Sequence, residues 1–144
     1  MQIDDNDRAL LRFLAEDARM PVADLARRLG LARTTVQARI DRLLAQGVIA
    51  GFTLRAGPGL RPALRATVLV SIEPRSGPAV LARLKTLAGV ERVHTTSGRF
   101  DLILEISADN TEALDRLLDM IGDAKGVRSS ESLIQLSTKI DRAV

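Results

Sequence analysis

The sequence predicts an α+β chain: an N-terminal winged helix-turn-helix over residues 1–54, a linker over 55–63, and a ferredoxin-like βαββαβ domain over 64–144. Three observations predict it. Up to residue 45 the apolar residues recur at helical spacing, with Gly30 dividing two short stripes. Beyond residue 64 the period changes, and β-branched runs alternate with two further helical stripes. Between these regimes, residues 55–63 (Arg-Ala-Gly-Pro-Gly-Leu-Arg-Pro-Ala) hold two glycines and two prolines in nine positions, the punctuation of a linker.

In chain order, Asp4 can cap a first helix, with Asp7 three residues on approximating a capping box. Leu10, Leu11 and Leu14 follow at helical spacing toward an end near Ala18. Pro21 forces an extended start to the next helix. Val22, Leu25, Ala26 and Leu29 form its stripe, Gly30 supplies a left-handed turn, and Val36, Ile40, Leu43 and Leu44 form the stripe of a third helix. Two short helices joined by a tight glycine turn describe a helix-turn-helix. Gly47 offers a stop, and residues 48–54 (Val-Ile-Ala-Gly-Phe-Thr-Leu) read as a short strand that would make the wing.

The second half opens with a strand over 66–73. Ser76-Gly77-Pro78 starts a helix carrying Val80, Leu81, Leu84 and Leu87. A strand over 90–96, a turn at Ser97-Gly98-Arg99 and a strand over 100–106 follow. Asp109 and Glu112 make a capping box for a helix carrying Leu114, Leu117, Leu118 and Ile121, and residues 127–138 form the last strand. The order is β-α-β-β-α-β. Gly89-Val90 and Gly126-Val127 enter the second strand of each half and mark a weak internal repeat. Helices cover only one face of such a sheet, yet several strands are apolar on both faces: Val68, Leu69, Val70 and Ile72; Leu102, Ile103 and Leu104; Leu133, Ile134 and Leu136. The first domain could fold back over that face, but the extended Pro/Gly linker makes this less attractive, and a homodimer with a second copy of the chain over the open face is expected.

Composition narrows the function. There is no cysteine, which excludes disulfides, thiolate metal sites and cysteine nucleophiles and fits a reducing compartment. The N-terminus is acidic without a hydrophobic signal core, and no apolar run approaches the roughly 20 residues of a membrane span, so a cytoplasmic, nucleoid-associated protein with no membrane partner and no cofactor is expected. The chain has eighteen arginines and three lysines, and their location says more than their number. Between Ala18 and Arg61 eight arginines face two acids, Asp24 and Asp41, a net of +6 against +3 for the whole chain. Residues 64–144 balance eleven bases with eleven acids. Positive charge is therefore concentrated on the helix-turn-helix. With the stripe of the third helix facing a core, Arg33, Thr34, Thr35, Gln37, Ala38, Arg39 and Arg42 are the candidates to contact double-stranded DNA. Two of them also suit bland roles, Arg39 as partner to an acid within the domain and Thr34 as a helix cap.

The stretches Ile3-Asp4-x-x-Asp7-Arg8, Asp17-Ala-Arg-Met20, Leu25-Ala-Arg-Arg-Leu-Gly-Leu31, Val36-x-x-Arg39-Ile-x-Arg-Leu43 and Gly47-Val-Ile-x-Gly-Phe52-Thr53 resemble the first domain of the Lrp/AsnC regulators. Gly89-Val90, Thr96-x-Gly98-x-Phe100-Asp101-Leu102 and Gly126-Val127 continue the resemblance through the second, so that it runs from Ile3 to Lys139. Each stretch alone is weak; together, in order, they are strong. The resemblance implies a winged helix-turn-helix joined to a ligand-responsive domain, assembly into dimers and often rings of dimers, control of transcription, and sensing of amino acids at clefts between subunits. Two departures bear on which effector is bound. Arg99 stands where an acidic or amide residue is usual, and Ser130 and Ser132 stand where threonine is frequent.

The effector candidates are Thr96, Ser97, Gly98, Arg99, Phe100 and Asp101, with Ser130 and Ser132 of the last strand. From the residues alone, the turn has two readings. In one it is a hairpin turn in which Gly98 serves geometry and Asp101 bonds the local backbone. In the other its N–H groups hold a carboxylate and Asp101 an α-ammonium, the two charged ends of a free amino acid. The resemblance favours the second. Two rival functions compete with transcription control. Sirohaem decarboxylases look similar over most of their length, but their chemistry would lean on histidine and arginine, and this chain has the single histidine His94 in a predicted strand. A helix-turn-helix kept only as a structural part of a sensing or assembly module fits poorly with the arginine clustering.

Overall fold

The computed structural model describes residues 2–142; Met1 and the last two residues of the predicted second domain, 143 and 144, lie outside them. The chain divides into two compact units between Arg55 and Ala56. The first holds three helices: α1 (Asp5–Glu16), α2 (Val22–Leu29) and α3 (Arg33–Ala45). Asp4 caps α1 as the sequence predicts. Its Oδ1 accepts the Asp7 N–H at 2.8 Å, and Asp7 Oδ2 accepts the Asp4 N–H at 3.2 Å, closing the capping box. Gly30 ends α2 in the left-handed region at φ 66°, where a Cβ would be strained, and the Leu31 N–H returns to the Ala26 carbonyl at 3.0 Å. Leu10, Leu14, Leu25, Ala26, Val36, Ile40 and Leu43 form the core shared by the three helices. Leu44, expected in that stripe, is 38% exposed, because Leu43 already fills the inward position at that level.

The predicted wing strand is not formed. The N–H groups of Val48 and Ile49 both turn back to the Leu43 carbonyl, at 2.9 and 3.1 Å, and their side chains pack on the helical core. Donors spent on closing a helix end cannot enter a ladder, and residues 50–57 continue without regular structure, leaving Phe52 and Leu54 exposed. A single 3-10 turn, Pro58–Leu60, lies in the predicted linker.

The second unit contains β1 (Leu64–Ile72), α4 (Gly77–Leu84), β2 (Val90–Thr95), β3 (Leu102–Ala108), α5 (Thr111–Gly122) and β4 (Val127–Ile134). Its antiparallel sheet has the order β2-β3-β1-β4, the order the βαββαβ pattern requires. Ala66, Val68 and Val70 of β1 and Leu102, Leu104 and Ile106 of β3 bury one face against Val80 and Leu84 of α4 and Leu114, Leu117 and Ile121 of α5. The two glycines of the weak repeat owe their place to close approach. A Cβ on Gly89 would lie 2.5 Å from Leu117 Cδ2, and one on Gly126 would lie 2.6 Å from Ser76 Cβ. Two boundaries differ from expectation. Asn110, not Asp109, caps α5, its Oδ1 accepting from the Ala113 N–H at 2.8 Å. β4 stops at Ile134 rather than continuing to 138, because its partner β1 begins at Leu64; the last cross-strand bond runs from the Gln135 N–H to the Arg65 carbonyl.

The opposite face is mixed rather than uniformly apolar. One row across it reads His94, Ile103, Leu69, Glu131, and the next reads Arg92, Glu105, Thr67, Leu133. Ile134 falls on the other side, opposite Ala66, and Leu136 lies beyond the strand. The apolar centre is thus narrower than the sequence suggests.

Candidate nucleic-acid and ligand sites

The helical period sorts the candidates on α3 into two groups. Arg33, Thr34, Gln37 and Ala38 are exposed, and with Asp41 they occupy one outward face. The Gln37 amide donates to Asp41 Oδ1 at 2.9 Å, which fixes its orientation. Arg33 has no side-chain partner among the described residues, so its guanidinium is available at the helix N-terminus. Thr34 does not cap α3; the N-cap is Ala32, and no side chain bonds there. Thr35 is exposed on the flank, one turn from Arg39, with Arg42 next along the same side.

Arg39 and Arg42, both candidate DNA contacts from sequence, are turned instead toward α1. Arg42 Nη2 donates to both oxygens of Asp7, at 2.7 and 2.6 Å. Arg39 Nη1 donates to Asp7 Oδ1 at 2.8 Å and to Asp4 Oδ2 at 2.7 Å. Asp7 is 0% exposed, the single charged residue among the buried ones described. Burial pushes its carboxyl up, but the hydrogen bonds from Arg42 and Arg39 outweigh this and hold it at about 2. The reciprocal bonds to Asp4 and Asp7 raise the Arg39 guanidinium above its usual range. Arg39 Nε is itself buried without an acceptor. Sequence reasoning found Asp7 as a capping residue and missed it as the anchor of this network. The available signal was two arginines three apart on the flank of a helix, with an N-terminal acid in the same small domain.

The predicted effector turn joins β2 to β3. Thr96 Oγ1 donates to the Phe100 carbonyl at 2.6 Å, and the Thr96 N–H to the Asp101 carbonyl at 2.9 Å. The Asp101 N–H reaches the Val70 carbonyl at 2.9 Å, and Asp101 Oδ2 accepts the Ile72 N–H at 2.8 Å. One carboxylate oxygen is thus used to hold the end of β1, 29 residues away in sequence, a bond that neither reading of the turn anticipated. Ser97, Gly98 and Arg99 are exposed, and a Cβ on Gly98 would meet nothing within 4 Å. The Arg99 guanidinium lies 5.1 Å from the Phe100 ring centre and 3.8 Å from Glu131. Arg128, raised above its usual range by Glu73 first and to a lesser degree by Asp101, closes the same end of the sheet. Ser130 is exposed opposite Val70, beside the Asp101 anchor; Ser132 lies opposite Val68, two residues further in. The fold therefore brings Ser130 to the end of the sheet that bears the turn and leaves Ser132 apart from it.

Two of the clefts on the second unit lie away from this turn. One, of about 430 Å³, lies between α5 and the β4 edge, lined by Leu114, Leu118 and Ile134. The other, of about 520 Å³, lies at the far end of β3, by Gly89, Ala108 and Arg116. Among the described residues no group of three or more His, Cys, Asp or Glu is arranged to hold a metal ion, and no helix is long and apolar enough to cross a membrane.

Comparison with known proteins gives two family matches. Residues 3–44 match the AsnC-type helix-turn-helix domain, and residues 65–144 match the Lrp/AsnC ligand binding domain. The HTH-type transcriptional regulator FL11 of Pyrococcus furiosus is 30% identical over 135 residues, covering 93% of this chain and 89% of the relative. Among solved structures, Escherichia coli AsnC aligns with a TM-score of 0.91 at 26% identity over 100% of this chain and 99% of that one. The feast or famine regulatory protein of Mycobacterium tuberculosis, complexed with L-methionine, aligns with a TM-score of 0.86 at 34% identity, covering 98% and 97% of the two chains.

Proposed function

The chain belongs to the Lrp/AsnC family of transcription regulators, and from that premise we propose that it reads DNA with the outward face of α3 and answers to a free amino acid bound at the turn of residues 96–101. The observation that carries the reading is the α3 N-terminus: Arg33, Thr34, Thr35, Gln37 and Ala38 are exposed, and Arg33 is unpaired among the described residues. Hydroxyls, an oriented amide and one free guanidinium at a helix N-terminus suit base edges and phosphates in a major groove. Asp101 keeps one carboxylate oxygen without a described hydrogen bond, and the backbone of the exposed residues Ser97, Gly98 and Arg99 could offer N–H groups to a carboxylate. The relative solved with L-methionine supports an amino acid as the ligand class. Two copies, joined through the open sheet face, would present two α3 helices to half-sites about one helical turn apart. The protein acts in the cytoplasm on this reading, as a regulator of transcription, the role in the name of the relative it matches.

The test is enrichment of a random duplex library on the full chain, repeated with Arg33→Ala and Gln37→Ala. A defined motif is expected for the wild type, with Gln37→Ala changing preference at one or two positions and Arg33→Ala weakening all sequences together. A wild type that enriches nothing, or variants that enrich the wild-type motif with unchanged affinity, would refute the assignment of α3.

A further inference from the structure

α3 carries three arginines, and the fold treats them differently. Arg33 points away from the protein with no partner among the described residues. Arg39 and Arg42 lie on the flank toward α1, and their side chains are 21% and 39% exposed. Both are bound to Asp7, whose carboxylate is wholly out of water. Asp4, at 51% side-chain exposure, adds a second acid to Arg39. Arg27 is likewise paired, with Asp24. Asp24 is already subtracted in the +6 counted along this segment, but Asp4 and Asp7 lie outside that count, so the +6 overstates the charge its surface offers to DNA.

Taken with the reading of α3 as the DNA-reading helix, on which this inference rests, we propose that Asp7 is a specificity-positioning residue that withholds Arg39 and Arg42 from the DNA backbone. Phosphate contacts give affinity for any sequence, whereas base contacts discriminate. An arginine free to reach phosphate raises binding to every sequence alike and lowers the ratio by which the correct site is preferred. By docking two guanidinium groups on a buried carboxylate, the domain keeps α3 rich in arginine while leaving Arg33 as the one arginine of that helix without an acidic partner among the described residues. Discrimination then rests on Arg33, Thr34, Thr35, Gln37 and Ala38. The same pairing fixes the rotation of α3 about its axis, since Arg39 and Arg42 are three residues apart on one flank. Asp7 touches no base in this arrangement and acts only through the two arginines.

The experiment measures binding of the full chain to a 40-base-pair duplex of mixed sequence, as a function of potassium chloride, together with library enrichment. Arg42→Gln and Arg39→Gln should leave the slope of log affinity against log salt at the wild-type value. Asp7→Asn should steepen that slope by about 0.9 for each guanidinium that reaches a phosphate, tighten binding to the mixed duplex, and flatten the enriched motif. Restoring the carboxylate with Asp7→Glu should recover part of the wild-type slope. If Arg42→Gln lowers the slope by about one contact, Arg42 already touches phosphate and the proposal is wrong. It is equally wrong if Asp7→Asn folds and changes only the thermal midpoint, with slope and motif unchanged. Should Asp7→Asn fail to fold, the two arginine variants decide. A wild type with no salt-dependent binding to any duplex would overturn the DNA reading itself, an outcome distinct from either of these.

Discussion

Removing a carboxylate from water costs several kcal/mol unless hydrogen bonds replace its hydration. Asp7 meets that requirement by accepting from two guanidinium groups and from the Asp4 N–H. Its carboxyl is held at about 2, against 3.8 ordinarily. A depressed folded-state value means the charged form stabilises the fold above the unfolded value, so this contribution is complete above pH 4 and is lost as pH falls toward 2. It amounts to about 2 kcal/mol. Denaturant unfolding of wild type and Asp7→Asn should therefore show a gap of that order at pH 7 that narrows between pH 4 and pH 2; a constant gap would mean the carboxylate charge is irrelevant. Little of this was legible in the sequence. Pairing of Arg39 with an acid was foreseeable as a bland alternative, but Asp7 and Arg42 are 35 residues apart. Only the packing of α1 against the flank of α3 brings them together, and no periodicity encodes that angle.

Elements whose signals are local read well, apart from the one-residue slip of the α5 cap from Asp109 to Asn110, and those that depend on a neighbour do not. The Asp4 capping box, the Gly30 stop and the stripes of the five helices follow from residues within a turn of one another. The wing failed because a strand needs a ladder, and the N–H groups of Val48 and Ile49 were already committed to Leu43. The end of β4 was missed because it is set by where β1 begins. The turn of residues 96–101 shows the same division: its place between two strands was legible, while the use of Asp101 to hold Ile72, on a different strand, was in neither reading. This shapes the test of the effector site. Asp101→Ala would remove the acceptor of the Ile72 N–H as well as the charge, so Asp101→Asn is the better variant, since it keeps an acceptor for that N–H while the other carboxylate oxygen becomes an uncharged donor. Calorimetry with the common amino acids should find a ligand for the wild type and a loss of at least about tenfold for Asp101→Asn, the order expected for a charge-assisted hydrogen bond. Gly98, at φ 144°, is in a region that side chains rarely adopt, so Gly98→Ala should also weaken binding by shifting the turn. Equal affinity for all three folded proteins would place the ligand elsewhere.

At the scale of the whole molecule, the open sheet face is the proposed seat of assembly. Leu69 and Ile103 sit side by side at its centre and are only half-buried; Leu133, in the neighbouring row, is 50% exposed. Around them stand the Arg92–Glu105 pair at 3.0 Å and Glu131. An apolar centre ringed by charges is the anatomy of an interface with a dry core and a polar rim, and each unit alone has the small core of a marginal domain. The expected result is a sedimentation mass of at least two chains for the wild type. Leu69→Glu would put a charge where the face must be dry, next to Ile103 and in the same row as Glu131. It should give a monomer with an unchanged circular-dichroism spectrum, because the side chain points away from the core of Val68 and Val70. The consequence for DNA follows from valency. With two copies joined, the second α3 meets its half-site at a high effective concentration, so the monomer should bind an enriched site about 100-fold more weakly than the wild type. Its salt slope should also fall to about half, since half the phosphate contacts are gone. A Leu69→Glu protein that remains dimeric would show that the copies join through another surface. One that is monomeric yet binds DNA as the wild type does would show that a single chain suffices.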